Sequence, residues 1–164
     1  MRILLATDGS DYSEEAAGFL RRFNFSRKDE IVVLHVISEV PYEDDYKAQI
    51  RQAIKKVAPR ILEASANILK PVKAKIGTVE SDGYPDSTII EKAIKSDADL
   101  IVMGARGIKG VKDIFSRKRV KEDIRAFGML CADRKIMTVE EQPDDFFSPI
   151  PYFGKGGFFK DIMP

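Results

Sequence analysis

Tryptophan is absent from this chain of 164 residues, cysteine and histidine occur once each, and neither sign of charge is in excess. Twenty-seven lysines and arginines stand against 26 aspartates and glutamates, a formal net charge of +1. The lone Cys131 excludes an intrachain disulfide and a cysteine-built zinc cluster. Such sparing use of cysteine fits a reducing, cytoplasmic setting. The lone His35 offers no second imidazole for a metal and no visible triad partners. Inside an apolar stretch it reads first as a packed core residue. Balanced charge gives no reason to expect a nucleic-acid or membrane partner. No run approaches the roughly 18 apolar residues a membrane span needs. The opening run Ile3 to Ala6 is interrupted by Asp8, so the apolar region of a secretory signal is missing. What the chain does have is a 44% hydrophobic content beside 32% charged residues, enough apolar material for a folded core. Its length predicts one domain, or one domain with an appendage.

Short apolar runs alternate with helical patterns. Ile3 to Thr7 reads as a buried strand that stops at Asp8-Gly9-Ser10. A helix follows, capped by Ser10 or Asp11, with Ala16, Leu20 and Phe23 on one face. Ile31 to Ile37 is a second strand, rich in β-branched residues. From about Glu43 to Leu69 a long helix carries an apolar stripe of Ile50, Ile54, Val57, Ile61 and Ile68, with Pro59 expected to bend or split it. Val72 to Val79 reads as the third strand, and Gly83 and Pro85 introduce a helix whose inward face is Ile89, Ile90, Ala93 and Ile94. Asp99 to Met103 is the fourth strand. Beyond Val111, Ile114, Val120, Ile124 and Phe127 outline one more helix, and Lys135 to Val139 a fifth strand.

Strands too apolar for a wet face, separated by helices, imply an α/β fold with a parallel sheet covered on both faces. The right-handed crossover rule leaves few topologies, and an open doubly wound sheet with strand order 3-2-1-4-5 is the one expected. The domain is expected over residues 1–139. Residues 140–164 form a separate tail with four prolines, three glycines and six aromatic rings, among them Phe146, Phe147, Tyr152 and Phe153.

In such a sheet ligands bind beyond the carboxyl ends of the strands, where successive connections part to opposite faces. That geometry brings Asp8 and the turn Gly104-Ala105-Arg106-Gly107-Ile108-Lys109-Gly110 to one crevice. Asp8 either accepts hydrogen bonds from a ligand's hydroxyl or amine groups or satisfies backbone donors in its own turn. Glycines let backbone amides approach a phosphate, although most G-x-x-G pairs are simply turns. From Arg106 to Lys135 ten cations stand against four acids, which suits either an anionic ligand or the solvated face of a polar helix. Three clustered acids, Glu43, Asp44 and Asp45, lack the spacing of a calcium loop. No G-x-S-x-G, H-E-x-x-H or G-x-x-x-x-G-K-[ST] is present, so no catalytic residue is assigned and the chain is not expected to be an enzyme.

These residues resemble the universal stress protein family. ILLATDGSDYSEEA is similar to that family's first strand and acidic turn, VLHV to its second strand, and DADLIVMGARGIKGVKDIF to its fourth strand and glycine turn. The likeness runs from Met1 to about Phe115. It implies a Rossmann-like fold, a homodimer, and in one branch an ATP or AMP in the crevice, with magnesium only beside a bound nucleotide. By position, Ala6, Thr7 and Asp8 match residues around adenine and ribose, Val36 matches a base contact, and Met103 and Gly104 match the pocket wall. Arg106 lies in the glycine turn, with Gly107 and Gly110 at the phosphates.

The ATP-binding branch continues with nine residues and then glycine followed by serine or threonine. Here that count reaches Val120 and Lys121, and no glycine stands between Gly110 and Gly128. The nearest stand-in is Ser116 with Arg117 to Arg119, whose side-chain contacts differ in geometry from backbone amides. The family's usual last strand is absent as well, and KIMTV replaces it. Two functions follow: a cytoplasmic stress-response module with an adenine-nucleotide crevice, or a nucleotide-free, dimeric interaction protein that works through its divergent carboxyl-terminal segment.

Overall fold

A computed structural model of the chain describes residues 1–38, 45–104 and 135–139, the last of these and residues 45–47 by their backbone. In chain order the elements are β1 (Arg2–Ala6), α1 (Asp11–Leu20), β2 (Glu30–Ser38), α2 (Asp45–Leu69), β3 (Lys75–Gly83), α3 (Pro85–Lys95), β4 (Leu100–Gly104) and β5 (Lys135–Val139). All strand pairs are parallel, and the order across the sheet is β3-β2-β1-β4-β5. The first two crossovers step outward from β1, and the third jumps back to its other side. Right-handed crossovers therefore place α1 and α2 on one face and α3 on the other. The expected additional helix after Val111 and the aromatic segment 140–164 lie outside the described residues.

Side-chain alternation divides the core between the two faces. Ile3, Leu5, Ile31, Val33 and Val102 pack against Ala16, Ala17, Leu20, Leu62 and Leu69 of α1 and α2. Leu4, Ala6, Leu34, Ile101 and Met103 pack against Ile89, Ile90 and Ala93 of α3. Each fully buried leucine or isoleucine contributes about 1.5–3 kcal/mol by leaving water. Beyond α1, Phe23 meets Phe19 edge-on and stacks on Phe25, closing the end of the first layer.

Three local expectations are corrected. The third strand runs Lys75–Gly83 rather than starting at Val72, because its pairing with β2 continues to the Ser38 and Gly83 partners. Of the two outcomes expected at Pro59, bending or splitting, splitting does not occur: Pro59 stands inside one helix. Its ring is exposed, and the carbonyl four residues earlier belongs to the exposed Lys55, so the lost bond falls on the wet side. The apolar stripe of α2 also turns. Ala58, Leu62, Ser65 and Leu69 face the sheet, whereas Ile50 and Val57 are exposed. Two helical series overlap in this segment, and the one with smaller residues allows the closer approach.

Candidate functional site

β1 and β4 are the strands from which the connections diverge, and their carboxyl ends lie side by side, with Ala6 paired to Met103. On the other flank Ala6 pairs with Leu34. Three of the predicted residues, Ala6, Val36 and Met103, share the α3 side of the sheet at this mouth. Ala6 and Met103 are buried and Val36 is half-buried. Asp8 follows the end of β1 and Gly104 ends the neighbouring β4, so the two strand ends lie side by side; the rest of the glycine turn lies outside the described residues. The remaining predicted residues, Arg106, Gly107, Gly110 and Ser116, lie outside the described residues, as do Glu43 and Asp44.

The turn after β1 is built by its own side chains. Asp8 is half-buried, and its Oδ1 accepts from the Ser10 backbone N–H at 3.0 Å and from Ser10 Oγ at 2.5 Å. Ser10 is the N-cap of α1, its Oγ accepting from the Ser13 N–H at 3.4 Å. Between them Gly9 takes φ +78°, and a Cβ there would stand 2.9 Å from Ile61 Cγ1 of α2. Of the two roles open to Asp8, the turn role is thus visibly filled by one oxygen.

Thr7 points the other way, under α1 and α2. Its Oγ1 accepts from Ser65 Oγ at 3.0 Å, lies 3.1 Å from Ser13 Oγ, and receives a long bond of 3.4 Å from the Gly9 N–H. Its N–H donates to Leu34 O at 2.9 Å, and its carbonyl stands 2.8 Å from His35 Nδ1. Thr7, Ser13, His35 and Ser65 are all buried. Thr7 therefore joins β1, β2, α1 and α2, and its hydroxyl is engaged within the protein. His35 is a core residue, as its position in the strand predicted. Sequence reasoning missed Ser13 and Ser65. The signal for Ser65 was its place between Leu62 and Leu69 on a helix face, where a hydroxyl needs a partner.

Gly104 has a packing reason to be glycine. A Cβ there would stand 2.6 Å from Tyr12 O and 2.7 Å from Tyr12 C, in the first turn of α1. Helix and strand thus meet backbone to backbone at the mouth of the crevice.

Farther out, Asp82 of β3 ties down α2 through Arg51 Nη2 at 2.9 Å and Lys55 Nζ at 3.2 Å. The Arg51 hydrogen bond, more than the slight burial that opposes it, holds the Asp82 carboxyl below its ordinary range, with Lys55 adding to the effect. A carboxylate lowered in the folded state contributes stability above its unfolded pKa and loses it as pH falls through the folded one. The difference in Tm between the wild-type chain and Asp82→Asn is therefore expected to be constant above about pH 5 and to close below about pH 4. Thermal melts across that range check it; a difference that grows toward acid contradicts it. Among the described residues no three histidine, cysteine, aspartate or glutamate side chains are grouped to hold a metal ion, and no helix is long and apolar enough to cross a membrane.

This arrangement coincides with a known family. The model of the universal stress protein family matches residues 1–120. The chain belongs to the universal stress protein family. A universal stress protein encoded beside a QAH/OAS sulfhydrylase in Thermus aquaticus is 33% identical over 120 residues, covering 69% of this chain and 82% of the relative. Among solved structures, a family protein from Arabidopsis thaliana with AMP bound aligns over 87% of this chain and 92% of its own, at 18% identity and a TM-score of 0.53. A universal stress protein in complex with cAMP aligns over 85% and 97%, at 17% identity and a TM-score of 0.55. At these identities the likeness of this universal stress protein to the solved structures is one of fold.

Proposed function

We propose that this universal stress protein is a cytoplasmic, homodimeric stress-response module that binds an adenine nucleotide, AMP or ATP, at the mouth shared by β1 and β4. The observation that carries the reading is the convergence of Ala6, Val36 and Met103 on one face beside the Asp8 turn. The first three offer an apolar wall for a base, and a carboxylate at Asp8 suits ribose hydroxyls. Neighbours of the same fold with AMP and cAMP bound support it. The missing glycine and serine or threonine after Gly110 favour a monophosphate over a triphosphate. Magnesium belongs to this reading only as a companion of bound phosphates. No residue is given a catalytic role, and any hydrolysis is slow without a positioned base. Calorimetry of the full chain with AMP, ADP and ATP tests the reading. AMP is expected to bind at least as tightly as ATP, and the reading fails if none binds below about 1 mM.

The second reading, a nucleotide-free interaction protein acting through its divergent carboxyl-terminal segment, draws on the absence of a glycine followed by serine or threonine after Gly110 and on the six aromatic residues between 140 and 164. Truncation at about Glu140 followed by sedimentation separates the two. Loss of association together with absent nucleotide binding favours the second.

A further inference from the structure

One buried ring nitrogen makes no hydrogen bond among the described residues. His35 is 5% exposed, and its Nε2 makes no hydrogen bond among the described residues. Its Nδ1 lies 2.8 Å from the Thr7 carbonyl oxygen, which can only accept, so Nδ1 carries the hydrogen. An aliphatic side chain would fill the same strand position with no orphaned nitrogen. What the imidazole adds is a single hydrogen bond, and its acceptor is the last backbone carbonyl before Asp8.

That carbonyl belongs to the peptide unit joining Thr7 to Asp8. The unit is planar and trans, so its C=O and N–H point in opposite directions. Holding the Thr7 oxygen toward His35 turns the Asp8 N–H away from His35 and sets where the Asp8 side chain starts. The other bonds of Thr7, to Leu34, Ser13, Ser65 and Gly9, hold its nitrogen and hydroxyl and leave the carbonyl to His35. We infer that His35 is a positioning residue for the crevice: through Nδ1–H it fixes the Thr7–Asp8 peptide plane and thereby the orientation in which Asp8 meets a nucleotide. This inference rests on the nucleotide reading for its consequence and on the described geometry for its cause.

The test uses three variants of the full chain. Asparagine presents an amide N–H near the Nδ1 position, glutamine presents one near Nε2, and leucine presents none. His35→Asn is expected to keep AMP affinity within about threefold of wild type, while His35→Gln and His35→Leu each lose about tenfold or more. Nitrogen spectra of the wild-type imidazole are expected to show the tautomer protonated at Nδ1, a measurement that needs no variant to fold. The inference is overturned if asparagine restores no more than glutamine and leucine do, or if wild-type His35 carries its proton on Nε2. Should wild-type protein bind no AMP, the nucleotide reading falls by itself. Positioning is then judged on the amide signals of Asp8, Gly9 and Ser10, which must hold in His35→Asn and move in His35→Gln.

Discussion

Gly104→Ala is expected to destabilise the protein by about 2–3 kcal/mol, because the added methyl carbon would overlap backbone atoms that have little room to retreat. It would stand 2.6 Å and 2.7 Å from the carbonyl oxygen and carbon of Tyr12 and 2.9 Å from its Cβ. Relief requires moving the first turn of α1 away from β4, and that turn is held by the Ser10 cap and by the Thr7 to Ser13 contact. Gly18→Ala is the natural control. It lies within α1, nothing stands within 4 Å of its added carbon, and it is expected to stabilise by about 0.5–1 kcal/mol. Urea unfolding of both variants measures the two effects. A neutral Gly104→Ala would mean that α1 and β4 do not meet backbone to backbone, and the crevice would lose its rigid floor.

Asp8 carries the second large effect, and its two roles separate by substitution. Asp8→Asn keeps an acceptor for the Ser10 N–H and Oγ but removes the charge, so the turn is expected to hold. A hydrogen bond to a charged group contributes about 1.5–3 kcal/mol, so AMP affinity is expected to fall about tenfold or more if the carboxylate receives ribose hydroxyls. Asp8→Ala loses the same affinity and also about 1 kcal/mol of stability, as the cap of α1 loosens. Calorimetry and thermal melts on both variants give the answer. Full AMP affinity in Asp8→Asn would leave the aspartate with its turn role alone.

The layered fold was legible because its strands are short, apolar and rich in β-branched residues, a pattern that only a sheet covered on both faces satisfies. Handedness limited the possible topologies, and the expected order 3-2-1-4-5 is the one the strands take. Less legible was the rotation of α2. Ile50, Ile54, Val57, Ile61 and Ile68 compete for attention with Ala58, Leu62, Ser65 and Leu69, and periodicity alone weights large side chains over close approach. The hydroxyl cluster under the crevice was invisible for a related reason. Thr7, Ser13 and Ser65 come from three elements and acquire meaning only when β1, α1 and α2 are brought together. Gly104 shows the limit of a motif. As the first glycine of a phosphate-like turn it invites a ligand argument, yet the structure gives it a packing partner in Tyr12.

The central claim is that a nucleotide sits where β1 and β4 end, and a titration of AMP into the isotopically labelled full chain, followed by amide shifts, tests it most directly. The account predicts saturable changes below about 1 mM at Ala6, Asp8, Gly9, Ser10, Val36, Met103 and Gly104, with the outer edge of β3 silent. Shifts confined to β3 or to the exposed half of α2, or none up to several times that concentration, would contradict it.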